Sequence, residues 1–182
     1  MKLTAQVKLL PTEDQAIALR QTLEQANDAC NYLSERAWDA KVFRQFALHR
    51  LTYYDVRNKF PELSAQMVVR CTGKVSAAYK LGKKTKRTFA PLGSIAYDER
   101  ILRWYVSQSL VSIWTIAGRQ RIPFVCGERQ RQLLARQHGE SDLVLRQGRW
   151  YLFAVCDLDD PDLLETDIRG YAMDQIRAAH NV

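Results

Sequence analysis

The stretch SDLVLRQGRWYLFAVCDLD, residues 141–159, constrains this chain most, because it reads as two strands folded back on each other at Gln147-Gly148. Leu143 and Leu145 share one face before the turn, and Trp150, Leu152, Ala154 and Cys156 share one face after it, the period of two that a strand needs. Gly148 supplies the positive φ of a tight hairpin. The second strand is apolar on its other side too, with Tyr151, Phe153 and Val155, which predicts a central strand covered on both faces. A central strand needs neighbours. Short alternating segments at 94–97, 101–106, 110–116 and 121–125, and another within 1–10, can supply them. The expected fold is α+β: a small antiparallel β-barrel or strongly curled sheet, with a helical bundle inserted after its first strand.

The inserted segment announces itself by a change of period. Leu3, Ala5, Val7 and Leu9 alternate with polar residues, and at Pro11 the alternation stops. Thr12-x-x-Gln15 is a capping box, and Ala16, Leu19, Leu23, Ala26, Cys30, Leu33 and Ala37 then recur at steps of three and four. That stripe predicts a long helix, and its small residues favour packing within the chain over a coiled coil with a partner. A second helix is expected over about 44–59, with Phe46, Leu51, Tyr54 and Val56 as its packing residues, ending before Pro61. Ser64 caps a third, on which Met67, Cys71, Val75 and Ala78 form the apolar stripe and Arg70, Lys74 and Lys80 lie off it. From Phe89 the period returns to two. Pro123 predicts an edge position, because proline cannot donate to a ladder. Residues 127–138 read as a short amphipathic helix across the barrel, and the chain turns acidic after Asp157. The expected units are therefore a barrel from 1–10 and 87–158, a helical domain from 11–86, and a linker with further sequence over 159–182.

Charge is unevenly placed along the chain. Residues 80–150 hold 14 Lys/Arg against 5 Asp/Glu, a net of +9, whereas 151–182 hold 2 against 7. An excess of one sign on one region suggests a polyanionic partner, since neutralising phosphates releases counterions. A solvated surface is the plain alternative, and basic side chains at a helix C-terminus also answer its dipole. Two groups are the candidates for nucleic-acid binding: Lys80, Lys83, Lys84, Lys86 and Arg87 at the exit of the helices, and Arg119, Arg121, Arg129, Arg131, Arg146 and Arg149 on the barrel. Trp104 and Tyr105 are placed either to stack on unpaired bases or to fill the barrel core.

Catalytic and metal-binding patterns are not legible. The sequence has no phosphate-cradling glycine loop, G-x-S-x-G elbow or H-E-x-x-H. Its four cysteines, Cys30, Cys71, Cys126 and Cys156, sit singly in apolar patterns and predict buried thiols. His49, His138 and His180 are scattered, and the aspartates after residue 156 lack the glycine and closing glutamate of a calcium loop. No catalytic residue, metal ligand or cofactor is expected. The apolar run 151–156 is far shorter than the ~20 residues that cross a bilayer. Nothing at the N-terminus reads as a signal peptide, so the expected location is the cytoplasm, with no membrane partner.

The order of short motifs carries a resemblance. A strand precedes the helix that opens at Pro11-Thr12-x-x-Gln15, followed by Ala29-Cys30-Asn31-Tyr32. Leu63-Ser64-Ala65-Gln66 then opens a helix ending in Ala78-Tyr79-Lys80, and Gly148-Arg149-Trp150-Tyr151-Leu152 follows. Over roughly residues 1–170 this order resembles the N-terminal half of the insertion-sequence TnpB (OrfB) proteins, RNA-guided DNA nucleases encoded by transposons. The resemblance implies an OB-like barrel called the wedge domain and a helical recognition domain inserted after its first strand. It also implies structured guide RNA as partner, with duplex DNA beside a target as a second ligand. In that family a Gly-Val-Asp-Leu-Gly strand then opens the nuclease domain. Here the corresponding place reads Gly170-Tyr171-Ala172-Met173-Asp174-Gln175-Ile176, without the second glycine, so the resemblance implies that 159–182 is a linker and the truncated start of a nuclease domain. One aspartate does not make a two-metal site, so the expectation is binding without cleavage. Two other readings stay open: half of a split nuclease completed by a separate nuclease-domain chain, and a protein-interaction or regulatory remnant.

Overall fold

The computed structural model describes residues 2–157. The expected linker over 159–182 and the family-like aspartate Asp174 lie outside them. β1 (Lys2–Leu9) leads into α1 (Glu13–Ala40), α2 (Gln45–Lys59) and α3 (Ala65–Leu81). Then follow β2 (Ile95–Tyr97), β3 (Leu102–Tyr105), β4 (Leu110–Thr115), β5 (Gly118–Val125), α4 (Glu128–Leu134), β6 (Gln137–Arg146) and β7 (Arg149–Asp157).

The seven strands form one antiparallel sheet in the order β2-β6-β7-β1-β5-β4-β3. Its two edges, β2 and β3, are separated in sequence only by residues 98–101. A flat sheet of this order would hold its edges about 29 Å apart, six spacings of ~4.8 Å. Five Cα steps reach only about 18 Å, so the sheet has to curl into a nearly closed barrel. The sequence-distant partners agree with this: β1 pairs with β7 over Lys2↔Asp157 to Lys8↔Tyr151, across the whole helical insertion.

β7 is central, as the two-sided pattern predicts, lying between β6 and β1. Its inner face, Trp150, Leu152, Ala154 and Cys156, is buried. The outer face is not fully covered. Tyr151 and Phe153 are half-buried; three of their four register partners are polar, Lys8 and Gln6 on β1 and Asp142 on β6, and the fourth is Val144 on β6. Gln147 and Gly148 both take positive φ, 49° and 72°, in a two-residue loop of the primed type flanked by Arg146 and Arg149. Pro123 departs from expectation, for β5 is an internal strand. Its carbonyl, and hence its nitrogen, faces the β1 side, where β1 ends at Leu9 and no ladder acceptor waits for an N–H.

Both predicted helix caps form. Thr12 Oγ1 accepts from the Gln15 amide at 3.2 Å while Gln15 Oε1 accepts from the Thr12 amide at 3.0 Å, and Ser64 caps α3 through the Met67 amide. On α2 one of the four expected packing residues, Val56, is buried and the other three are not. Leu48, Thr52 and Val56 are buried, whereas Phe46 and Tyr54 are 87% and 78% exposed and Leu51 is also exposed. The helix is apolar on two faces, and periodicity alone could not choose between them. On α3 the stripe runs through Met67, Cys71 and Val75 to Tyr79 rather than Ala78, with the Tyr79 ring against Phe43 at 4.6 Å. α4 is shorter than the expected 127–138, because β6 begins at Gln137, opposite Cys156.

Helices and barrel share one contiguous core. Their junction is polar and ordered. Asn27, fully buried on α1, donates to the carbonyls of Pro91 and Gly93 and accepts from Lys74 Nζ at 2.7 Å, and Lys74 also donates to the Ser94 carbonyl. Gly93 leaves little room there, since a Cβ would stand 3.2 Å from the Ala90 carbonyl, 3.3 Å from Lys74 Nζ and 3.4 Å from Asn27 Oδ1, and these neighbours would have to give by a few tenths of an ångström. Arg70 reaches Asp98 and Glu140 from the next turn of α3.

Candidate nucleic-acid interface

Strand alternation turns Leu102 and Trp104 inward and Arg103 and Tyr105 outward on β3. On β5 the same rule puts Arg119 and Arg121 outside while Ile122 and Phe124 are buried. Register then brings these side chains together. Arg103 lies opposite Ser112, and Ser112 opposite Arg121, so the two arginines flank one position of the central strand β4. The Tyr105 ring is approached by both guanidinium groups, each 5.7 Å from its centroid. Arg119 donates to Ser112 Oγ at 3.2 Å and to the Arg100 carbonyl at 2.8 Å. The result is a cleft of about 380 Å³ lined, among the described residues, by three arginines, one tyrosine, Ser112 and a single carboxylate, Glu99. Guanidinium forks around an aromatic ring suit a phosphate and a stacked base.

A second cleft, about 650 Å³, adjoins the first through Glu99 and Arg103. Its apolar wall is Leu102, Trp104, Val106 and Leu134. Trp104 is half-buried and meets Phe124 edge-to-face at 5.3 Å, which settles its sequence ambiguity towards the barrel interior. Its indole Nε1 is covered and has no acceptor among the described residues.

The other sequence candidates divide into exposed and engaged cations. Lys83, Lys84, Arg146 and Arg149 are exposed. Lys83 Nζ stands 5.5 Å from the Phe43 ring and Arg146 5.2 Å from Phe153. Arg146 and Arg149 face each other across the hairpin end, a like-charge pair that a bound anion would relieve. Lys86 sits 3.9 Å from Glu35 with both side chains largely exposed, an ion pair of little energetic weight. Arg87 is engaged by the chain itself: its guanidinium donates twice to the Gly82 carbonyl, and its amide donates to the Tyr79 hydroxyl. Arg131 likewise forks between the Val106 carbonyl at 2.7 Å and Ser109 Oγ at 2.9 Å. Arg129 is half-buried on α4.

Lys80 lines a third cleft, between α3 and the strands β2 and β6, with Arg70, Lys74, Glu140 and Asp142. Its charges are mixed. Burial pushes the Lys74 ammonium down from its ordinary range, and burial with Glu140 close by pushes the Asp142 carboxyl up. None of these three clefts is lined by members of both candidate groups. Sequence reasoning places Arg119 and Arg121 in one group, as the fold does, and strand alternation, which points Arg103 away from Leu102 and Trp104, admits Arg103 to the same surface; Tyr105 alone has no place beside them. Alternation carries that signal, and only the register of β3 on β4 completes it.

Among the described residues no three or more His, Cys, Asp or Glu side chains gather to hold a metal ion, and no helix is long and apolar enough to cross a membrane. Cys30, Cys71 and Cys156 are buried free thiols and Cys126 is half-buried. No protein-family model matches the chain, and no curated protein matches it.

Proposed function

We propose that this chain is a nucleic-acid-binding module that holds structured RNA by its phosphates on the outer face of β3, β4 and β5. The observation that carries the reading is the approach of Arg103 and Arg121 to the Tyr105 ring, in a cleft whose lining among the described residues also includes Arg119 and one carboxylate, Glu99. The similarity of its sequence to the wedge and recognition half of TnpB proteins favours a guide RNA, with target-adjacent duplex DNA as a second ligand. On this reading the chain binds and does not cut by itself, and cleavage would require carboxylates from a separate nuclease-domain chain.

Binding of a structured RNA, measured at several salt concentrations, tests the proposal. Arg103→Gln with Arg121→Gln removes two cations that both approach the Tyr105 ring. Counterion release predicts a steep fall of affinity with salt, and a log–log slope reduced in the variant by roughly 0.7–0.9 for each phosphate no longer held. Equal affinities and equal slopes for parent and variant would refute this surface. Absence of salt-dependent RNA binding in the parent would favour a protein-interaction role instead.

A further inference from the structure

We propose that the outer face of β7 and β1 is a stacking platform for an unpaired RNA strand, on which Tyr151 and Phe153 each take one base. The proposal rests on the nucleic-acid reading above and extends it from phosphates to bases.

Alternation and register place the rings. With Trp150, Leu152, Ala154 and Cys156 buried inside the barrel, Tyr151 and Phe153 project from the other side of the same central strand, half-buried. Lys8 is in register with Tyr151 on one side and with Val125 of β5 on the other, so the three share the outer face. Arg121 leaves β5 on that face too, four residues before Val125. Two strand spacings and four residues separate Arg121 from Tyr151, roughly 17 Å. At a stacked rise of ~3.4 Å per nucleotide this is about five nucleotides, and fewer when the strand is extended. One strand therefore reaches from the guanidinium groups around Tyr105 to the platform, within the ~4–16 nucleotides that an OB-type barrel holds.

Three observations select unpaired bases as the occupant. Side chains two positions apart on a strand stand ~6.6 Å apart, about twice the rise between stacked bases. Bases on both rings are parted from each other, which an extended single strand allows and a duplex forbids. Next, a planar cation already lies over Phe153, with the Arg146 guanidinium 5.2 Å from the ring centroid, as Arg103 and Arg121 lie over Tyr105. A base offers the ring the same kind of contact, and the displaced guanidinium is then free to meet a phosphate. Last, apolar surface stays open between the two basic regions: Val125 is 49% exposed, and Leu10, whose amide donates to the Pro123 carbonyl, is 45% exposed. Phosphates gain nothing from such surface, whereas base faces do. Charge agrees with a polyanion, since Lys8 and Arg146 adjoin the rings and Arg149 faces Arg146 across the hairpin end. Asp142 is the one carboxylate in register with either ring, and burial with Glu140 close by pushes its carboxyl up.

The test uses the whole chain with an oligouridylate of about eight nucleotides and with an RNA duplex of equal length, each titrated at several salt concentrations. Tyr151→Leu and Phe153→Leu keep an apolar side chain and remove the ring. Each is expected to weaken the oligouridylate about fivefold or more, the lower weight of one stacked base, and to leave its salt slope and the duplex affinity unchanged. Lys8→Gln should instead lower the oligouridylate slope by about 0.7, one phosphate contact on a single strand. Photocrosslinking of the parent chain with a 5-iodouridine oligomer reads the same contact without a substitution, and the adduct is expected on Tyr151 or Phe153. Unchanged oligouridylate affinity in both leucine variants, equal losses for oligouridylate and duplex, or adducts confined to other residues would overturn the platform. Salt-dependent binding of structured RNA that survives such a result leaves the arginine surface standing, whereas its absence in the parent strikes the reading on which the platform rests.

Discussion

Replacing Asn27 by alanine should loosen the joint between helices and barrel more than any surface change. Its amide donates to Pro91 and Gly93 carbonyls at 3.1 and 2.9 Å and accepts from Lys74 at 2.7 Å. The bond to the Leu23 carbonyl matters less, since that oxygen keeps its helical partner. Alanine leaves the Gly93 carbonyl without its donor, at about 1–3 kcal/mol, and removes a bond to a charged group worth about 1.5–3 kcal/mol. Water reaches the exposed Pro91 and partly repairs its loss. The expected cost is therefore about 3–5 kcal/mol, against a total stability of ~5–15 kcal/mol. In urea this is a midpoint shift of roughly 1–2 M. Because Lys74 shares the network, Lys74→Met and Asn27→Ala should be non-additive, with a coupling of about 1 kcal/mol or more. A midpoint shift below about 0.3 M, or strict additivity, would show that the junction is held by apolar packing and not by this network.

Two further outcomes are expected. Burial keeps Tyr97 protonated far above the ordinary phenol range, so the unfolded chain gives up a proton near pH 10 that the folded chain keeps, and stability falls as pH rises past that point. Tyr97→Phe should flatten this alkaline limb in urea unfolding between pH 8 and 11, while costing about 1 kcal/mol at neutral pH by removing the donor to the Trp114 carbonyl; an unchanged limb would contradict the assignment. Of the four thiols, a thiol reagent should reach Cys126 in the native protein and Cys30, Cys71 and Cys156 only on unfolding, and a second fast thiol would show that the core opens locally.

Local rules are enough for much of this fold, and where they fail the missing information is tertiary. The helix caps, the 147–148 turn and the strand alternation each depend on residues a few positions apart, and each appears where the pattern puts it. Closure of the barrel is different. The alternation leads to the expectation of a barrel, but the strand order that closes it, with β1 paired to β7 across the insertion, is a relation that no short window of sequence contains. The exposed part of α2 has the same origin: Phe46 is as apolar as Leu48, and only packing on α1 and α3 distinguishes them. Arg70 and Lys74 lie off the apolar stripe of α3, as the spacing predicts, yet that side faces the barrel and holds it.

The same distinction governs the arginines, whose excess has two physical origins. A curled sheet of short strands makes corners, and corners leave carbonyls with no ladder partner that must still be satisfied. Guanidinium, with several donors in a rigid fork, does this at Arg100 and Val106 through Arg119 and Arg131, and does the same for the Gly82 carbonyl at the end of α3 through Arg87. Those cations belong to the architecture, whereas Arg103 and Arg121 meet a ring that tolerates their departure towards a ligand. Lysine substitution separates the two roles, because it keeps the charge and abolishes the fork. Arg131→Lys should lower stability by about 1–2 kcal/mol, through loss of the paired bonds to Val106 and Ser109, and leave the salt slope of RNA binding unchanged. Arg121→Lys should leave stability within about 0.5 kcal/mol and keep the slope, but weaken affinity, since a point charge does not replace a bidentate phosphate contact. If Arg131→Lys changes the salt slope and not the unfolding midpoint, its fork belongs to the ligand rather than to the corner, and the division between the two sets of arginines is wrong.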